Sequence, residues 1–166
     1  MRAISRKLQV LLTTGAMTAA SLSLAVATGA PAQAATYSAC NTTKLVYTGN
    51  YEYVRVPSHS SKGISCNLKL GTGSKSAVKA LQDAIMTCYS GTAAYDAIRN
   101  SGGVDGVYGA GTVKAVKLLQ KNQLGFTGSA VDGVYGPNTR KAMYWQLLGK
   151  GGIPLYPWMC KNPTQV

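Results

Sequence analysis

The six residues VDGVYG stand twice in this chain, at positions 104–109 and again at 131–136. The match continues past each copy, because the pattern T-x-K-A begins three residues later, at Thr112 and at Thr139. An Asp-Gly pair tolerates positive φ, and a threonine near a helix start can satisfy unpaired backbone N–H groups. The repeat therefore predicts two similar sharp turns, each of which opens a helix. The residues assigned to these turns are Asp105, Gly106, Gly109, Asp132, Gly133 and Gly136.

Apolar residues at steps of three and four predict three helices. The first begins at Ser74 or Ser76 and ends near residue 90, and the second covers about residues 112–122. The third covers residues 138–148, with Pro137 in its first turn. Residues 93–99 are predicted to form only a short turn of helix. Two copies are fewer than the roughly three that a solenoid needs, so one three-helix domain is predicted over residues 73–148.

The order of these motifs resembles the peptidoglycan-binding domain of the PG_binding_1 type. The resemblance rests on V-x-x-L-Q at 78–82, the hexapeptide at 104–109, T-x-x-A-V-x-x-L-Q at 112–120 and the closing helix. One departure is Leu119, where the family usually carries phenylalanine. The resemblance implies a mainly α fold and peptidoglycan as ligand. Such domains usually accompany a cell-wall hydrolase or transpeptidase, for which residues 35–72 and the tail 149–166 are too short, so a binding module on its own is expected.

The segment before the helices predicts a small β-hairpin within residues 43–57. Its second half alternates polar and apolar residues, and Gly49-Asn50 is a pair suited to a two-residue turn. A lone hairpin is marginal in water, so this one is expected to be stapled by a disulfide. The predicted fold is therefore mainly α, three helices with a stapled hairpin attached.

Four cysteines in an exported chain predict two disulfides. Three pairings are open. We favour Cys40–Cys66, which flank one short segment, and Cys88–Cys160, which would tie the tail to the first helix. With a single histidine and no C-x-x-C pair, neither a metal site nor a cofactor is expected.

Residues 1–34 have the layout of a signal peptide, with a basic start, an apolar run and Ala-Gln-Ala at 32–34. If the chain were a lipoprotein, Cys40 would carry the lipid, but Tyr37 stands where a lipobox has an aliphatic residue. We predict cleavage after Ala34 and a secreted or wall-associated monomer that no longer contacts the membrane. Three of the 17 basic residues and none of the five acidic ones lie in this segment, which leaves a net charge of +9. Outside a cell, such a charge favours an anionic cell-wall polymer over nucleic acid as the partner.

Two kinds of side chain are candidates for ligand contact. Aromatic rings can stack on sugars, and basic groups can pair with carboxylates or phosphates. Their structural alternatives stay open, since tyrosines often lie in cores and lysines on solvated helix faces. Trp145 or Trp158 becomes the best stacking candidate if it is exposed, while Gln82 and Gln120 are expected to bridge helices. The ligand-binding candidates are Tyr108, Tyr135, Lys114, Lys117, Arg140, Lys141 and Trp145.

The sequence contains few side chains that could carry out catalysis. Glycoside hydrolysis needs two opposed carboxylates, and two of the five acidic residues belong to the predicted turns. His59 lies in a serine-rich loop with no nucleophile motif around it. No catalytic residue is therefore predicted. The alternative function is a secreted, disulfide-stabilised inhibitor or interaction protein of an extracellular enzyme, with residues 44–56 as its contact.

Overall fold

A computed structural model describes residues 36–162, and the predicted signal peptide lies outside them. Four helices and four strands alternate in blocks along this part of the chain. In order they are β1 (Thr42–Gly49), β2 (Glu52–Ser58), α1 (Lys75–Cys88), α2 (Ala93–Arg99), α3 (Ala110–Asn122), α4 (Pro137–Ala142), β3 (Trp145–Leu148) and β4 (Cys160–Lys161), with a 3₁₀ turn at Gly128–Ala130.

The strands form one antiparallel sheet in the order β1-β2-β3-β4. The predicted hairpin is its β1–β2 half, but the turn lies one residue later than expected. Asn50 and Tyr51 hold positive φ angles of 50° and 61° between the paired residues Gly49 and Glu52. Two successive positive φ angles give a turn whose twist matches that of the flanking strands.

The predicted third helix is wrong beyond residue 142. The carbonyl of Arg140 accepts a hydrogen bond from Trp145 Nε1 at 3.3 Å, and the N–H of Tyr144 donates to the Tyr89 hydroxyl at 2.7 Å. These are the two backbone groups that a continued helix would have joined to each other. Two side chains thus end α4, and Met143 turns extended, with φ −74° and ψ 153°. The chain then pairs with the edge of β2 as β3.

The prediction of a mainly α fold with three helices is therefore wrong, since four α-helices pack with a four-stranded sheet. Residues 93–99 form a complete helix because Thr92 caps it, with its hydroxyl accepting from Tyr95 N at 3.3 Å. The hairpin also contributes to the interior, since Val54 and Val56 of β2 are fully buried. Tertiary pairing has overridden local helical spacing in the segment that became β3.

One hydrophobic core joins the sheet to the helices. Val78, Leu81 and Ile85 line one side of α1 and are buried with the β2 valines, as their helical spacing predicts. Ser74 begins this helix, with its hydroxyl accepting from Ala77 N at 3.2 Å. None of the helices within residues 36–162 is long and apolar enough to cross a membrane.

Two disulfides join the sheet region to the helices and loops. Cys40–Cys66 closes the segment around the hairpin, and Cys88–Cys160 ties the end of α1 to β4. This is the pairing favoured from the sequence. The chain before α1, the helices and the tail are thereby held together covalently as well as through the shared core.

Candidate functional site

The first corner, residues 105–112, is built around the side-chain amide of Gln82 in α1. Its Nε2 lies 2.8 Å from Asp105 Oδ1, 3.1 Å from Thr112 Oγ1 and 3.2 Å from the carbonyl of Val107. Its Oε1 accepts from the buried N–H of Gly106 at 2.8 Å. Asp105 Oδ1 accepts a further bond from Val107 N at 2.8 Å. One glutamine therefore fixes the turn and the first turn of α3 together.

The second corner, residues 132–139, repeats this network around Gln120 of α3. Gln120 Nε2 lies 2.8 Å from Asp132 Oδ1, 3.1 Å from the Val134 carbonyl and 3.2 Å from Thr139 Oγ1. Its Oε1 accepts from Gly133 N at 2.9 Å. Equivalent distances in the two corners agree to within 0.2 Å. The glutamines bridge helices as the sequence led us to expect, α1 to α3 through Thr112 and α3 to α4 through Thr139, and each also bonds to the turn before the second helix.

The first glycine of each corner is required by backbone geometry. Gly106 and Gly133 have φ angles of +80° and +75°, which favour glycine. A Cβ on Gly106 would lie 2.9 Å from the Lys75 carbonyl oxygen of α1. The second glycines, Gly109 and Gly136, are the N-cap residues of α3 and α4 with ordinary negative φ.

The corner threonines act differently from the capping role predicted for them. Neither α3 nor α4 has a side-chain cap. The hydroxyl of Thr112 donates to the carbonyl of Val107 at 3.1 Å, and that of Thr139 donates to the carbonyl of Val134 at 3.3 Å. Each threonine thus closes its corner onto a carbonyl group instead of satisfying helix N–H groups.

The corner tyrosines are buried, and Tyr108 links the first corner to the second. The Tyr108 hydroxyl donates to the carbonyl of Gly133 at 2.9 Å. Tyr135 meets the Trp145 ring edge-on, with the ring centres 6.0 Å apart. Burial raises the pKa of both tyrosines above the ordinary value of 10.0. Backbone bonds from Leu68 to Tyr135 and from Gly71 N to the Tyr108 carbonyl tie the preceding segment to both corners.

The structure separates the predicted ligand residues into a buried set and an exposed set. Tyr108, Tyr135, Trp145 and Arg140 lie in the interior, and Trp145 is only 1% exposed. A sugar ring cannot stack on aromatic faces that are packed in the core, so their burial argues against sugar stacking. Lys114, Lys117 and Lys141 are exposed.

Two exposed lysines, Lys121 of α3 and Lys141 of α4, border a depression. Lys114, Lys117 and Lys121 recur at steps of three and four on α3, which places them along one face. Phe126 and Thr127 form the depression between Lys121 and the α4 residue Lys141. This surface combines positive charge with a partly buried aromatic ring.

A second exposed surface lies on the loop between β3 and β4, which we call the aromatic loop (residues 153–159). Its seven residues are all exposed, and Trp158 and Tyr156 reach 75% and 54%. Backbone bonds from Leu147 N to the Met159 carbonyl and from Gly149 N to the Ile153 carbonyl hold both ends of the loop. The sequence left the exposure of Trp158 open, because a loop outside any periodic pattern carries no burial signal.

The carboxylates of the described residues are mostly engaged in structure. Glu52 pairs with Lys161 at 3.1 Å and Asp96 with Arg99 at 3.0 Å. Asp105 and Asp132 belong to the corners, and hydrogen bonds from Val107 N and the Gln82 amide hold the pKa of Asp105 below its ordinary value. Within residues 36–162, no three His, Cys, Asp or Glu side chains come together as metal ligands.

The two corners lie in a segment that matches a known protein family. Residues 74–143 match the family model PG_binding_1, a peptidoglycan binding domain. No match was found among the curated proteins or among the solved structures. The matched residues contain α1 to α4, both glutamines and both corners, and they leave out the hairpin, β3 and β4. Residues 74–143 therefore match the same peptidoglycan-binding family that the motif order resembles.

Proposed function

We propose that this chain is a secreted, non-catalytic protein that binds the peptidoglycan of bacterial cell walls. The observation that carries this function is the family match over residues 74–143, the segment that contains the helices and both corners. The two disulfides support an oxidising, extracellular location. The engagement of four of the five carboxylates in ion pairs or corners supports a binding role without catalysis.

Positive charge supplies the first part of the proposed contact. Lys114 and Lys117 of α3, with Lys141 of α4, project from the helices that the family match covers. Carboxylates of wall peptides and phosphates of wall polymers are the groups they would attract. Because these lysines are exposed, their contribution should fall as salt is added.

The aromatic loop supplies the second part of the proposed contact. Trp158 is 75% exposed, and its indole ring is flat and apolar, which suits the C–H face of a pyranose. Trp158 therefore replaces the buried Trp145 as the stacking residue. An apolar stacking contact is insensitive to salt, so it should persist where the lysine contribution is lost.

A sedimentation assay with purified insoluble peptidoglycan tests this function. The secreted protein should pellet with the wall at low salt and, more weakly, at high salt. Trp158→Ala should weaken binding by about fivefold, the equivalent of one aromatic contact. Tyr51→Ala is the matched control, because Tyr51 is 80% exposed on the hairpin turn, away from the aromatic loop in sequence. A wild-type protein that stays in the supernatant at low salt would refute the proposal.

The lysines are tested in the same assay by a triple substitution of Lys114, Lys117 and Lys141 to glutamine. This variant should lose most of the salt-sensitive part of binding and keep the salt-insensitive part. Substitution of Lys44, Lys62 and Lys69 to glutamine is the control, because it removes the same charge from exposed positions before α1. Equal losses in both triple variants would show that net charge, and not this surface, drives retention.

The alternative function, docking to an extracellular enzyme, is favoured by one observation. Tyr47 and Tyr51 are exposed on the hairpin, within the segment 44–56 predicted to make that contact. It predicts inhibition of a wall hydrolase or protease by the soluble protein, with no retention on the wall. The sedimentation assay therefore separates the two functions.

A further inference from the structure

A small pocket of about 170 Å³ opens between α1, β2, β3 and the loop that follows β3. Its apolar walls are formed by two alanines of α1 and by side chains of β3 and the loop. Its polar groups come from three different elements, namely Arg55 of β2, Asp83 of α1 and Gln146 of β3. The apolar walls are Ala80, Ala84, Trp145, Leu148 and Pro154.

The two charged groups of this pocket do not neutralise each other. Residues 36–162 contain two ion pairs, and neither includes Arg55 or Asp83. Partial desolvation raises the pKa of Asp83, while the charges of Lys79 and Arg55 act in the opposite direction. The guanidinium is thus within electrostatic reach of the carboxylate without closing onto it, and each retains hydrogen-bonding capacity for a ligand.

Gly152 gives the guanidinium its place at the pocket. Its φ angle is +80°, and a Cβ on this residue would overlap Nη2 of Arg55. Gln146 is held from the other side, where its Nε2 lies 3.5 Å from the carbonyl of Pro157 in the aromatic loop. The pocket therefore adjoins the loop to which we assign sugar stacking.

The size and charge of the pocket restrict its ligand. A volume of about 170 Å³ is below the roughly 300 Å³ at which pockets for larger ligands begin, so a disaccharide does not fit inside. A phosphodiester would satisfy Arg55 but has no N–H group to donate to Asp83. A carboxylate with a neighbouring amide N–H satisfies both groups, and a methyl group suits walls made of alanine side chains.

We propose that this pocket binds the carboxyl end of a short peptide whose last residue has a methyl-sized side chain. The terminal carboxylate pairs with the Arg55 guanidinium, the last amide N–H donates to Asp83, and the methyl group packs between α1 and Trp145. This inference rests on the proposed function, because the stem peptides of peptidoglycan are short chains that carry alanyl residues and free carboxyl ends. It adds a peptide subsite beside the sugar-stacking loop.

Calorimetric titration of the intact, disulfide-bonded protein with N-acetyl-alanyl-alanine, in both enantiomeric forms, tests the subsite. One form should bind, and its C-terminal amide should bind at least about tenfold more weakly, because the charge-assisted pair with Arg55 is lost. Arg55→Gln should weaken binding of the free acid by about tenfold, and Asp83→Asn by a smaller factor. Arg99→Gln is the matched control, since Arg99 is an exposed arginine of α2 whose partner is Asp96.

Three results would overturn the subsite, namely no binding of either enantiomer, equal binding of acid and amide, or an unchanged affinity in Arg55→Gln. Gly152→Ala provides a second variant that keeps the arginine but displaces its guanidinium, and it should weaken binding in the same direction. Sedimentation with insoluble peptidoglycan separates this failure from failure of the proposed function. A wall-binding protein that ignores the dipeptide refutes only the subsite, whereas a dipeptide-binding protein that does not sediment supports the subsite and refutes the function.

Discussion

Replacing Gln82 with leucine should destabilise the protein by about 3 kcal/mol, because this amide is the centre of the first corner. The buried N–H of Gly106 would lose its acceptor, at a cost of about 1–3 kcal/mol. Two further bonds, to the Val107 carbonyl and to Thr112, would be lost at about 0.5–1.5 kcal/mol each. Thr112 and the Val107 carbonyl would keep their bond to each other, and the exposed Asp105 would be hydrated by water. None of these three groups would therefore add the full penalty of a buried, unpaired polar group.

Thermal and urea unfolding followed by circular dichroism measure this loss. For a domain of this size, about 3 kcal/mol corresponds to a fall in Tm of about 12 °C. Gln120→Leu should cost the same within about 1 kcal/mol, because it removes the same bonds from the second corner. Gln123→Leu, at an exposed position one residue beyond α3, is the control and should change stability by less than about 0.5 kcal/mol. If Gln82→Leu behaves like this control, the amide does not hold the corner.

Three further changes test other parts of the fold. Gly106→Ala should destabilise the protein by about 2–3 kcal/mol, because it combines a positive φ with a carbonyl of α1 at 2.9 Å. Gly125→Ala, with positive φ and nothing within 4 Å, should cost only about 1 kcal/mol, and urea unfolding compares the two variants. Hydrogen bonds lower the folded pKa of Asp105 below 3.8, so its contribution to stability is present above that pH and is lost as pH falls through the folded pKa. Asp105→Asn should therefore flatten the acid side of a profile of Tm against pH. Replacing both Cys88 and Cys160 with alanine should cost about 4 kcal/mol, since the bridge closes a loop with a sequence separation of 72, and chemical unfolding under oxidising conditions measures the difference.

The repeated hexapeptide allowed the corners to be located from sequence, because a turn that needs glycine at positive φ leaves its mark in the residues themselves. The glutamine that binds each corner is harder to identify from the sequence. V-x-x-L-Q occurs in α1, ending at Gln82, and again in α3, ending at Gln120. The recurrence of this motif in two helices was the signal for the shared role of the two glutamines. Apolar spacing likewise located the buried face of α1.

The change from α4 to β3 could not be read from the same patterns. Residues 138–148 contain neither glycine nor proline, and their apolar residues are compatible with a helix. The helix ends because Tyr89 and Trp145 capture the backbone groups that would have continued it, and because β2 presents an edge for pairing. The Tyr89 hydroxyl and the edge of β2 come from segments distant in sequence, so local propensity does not predict these contacts.

The chemistry of the corners bears on where a ligand can bind. In each corner the glutamine amide, the threonine hydroxyl and one carboxylate oxygen are already engaged by other groups of the same corner. Groups that are already hydrogen-bonded within the corner have little hydrogen-bonding capacity left for a ligand. The motif that best identifies the family therefore serves mainly to fix the conformation of the corners. Recognition must then come from exposed side chains. The lysines of α3 and α4 lie within residues 74–143, but Arg55 and Trp158 lie outside them, on a strand that shares the core with the helices and on the exposed aromatic loop, respectively. The proposed function therefore predicts that the lysines of the family domain supply the charged contact, and that the hairpin and the tail decide which part of the wall is bound.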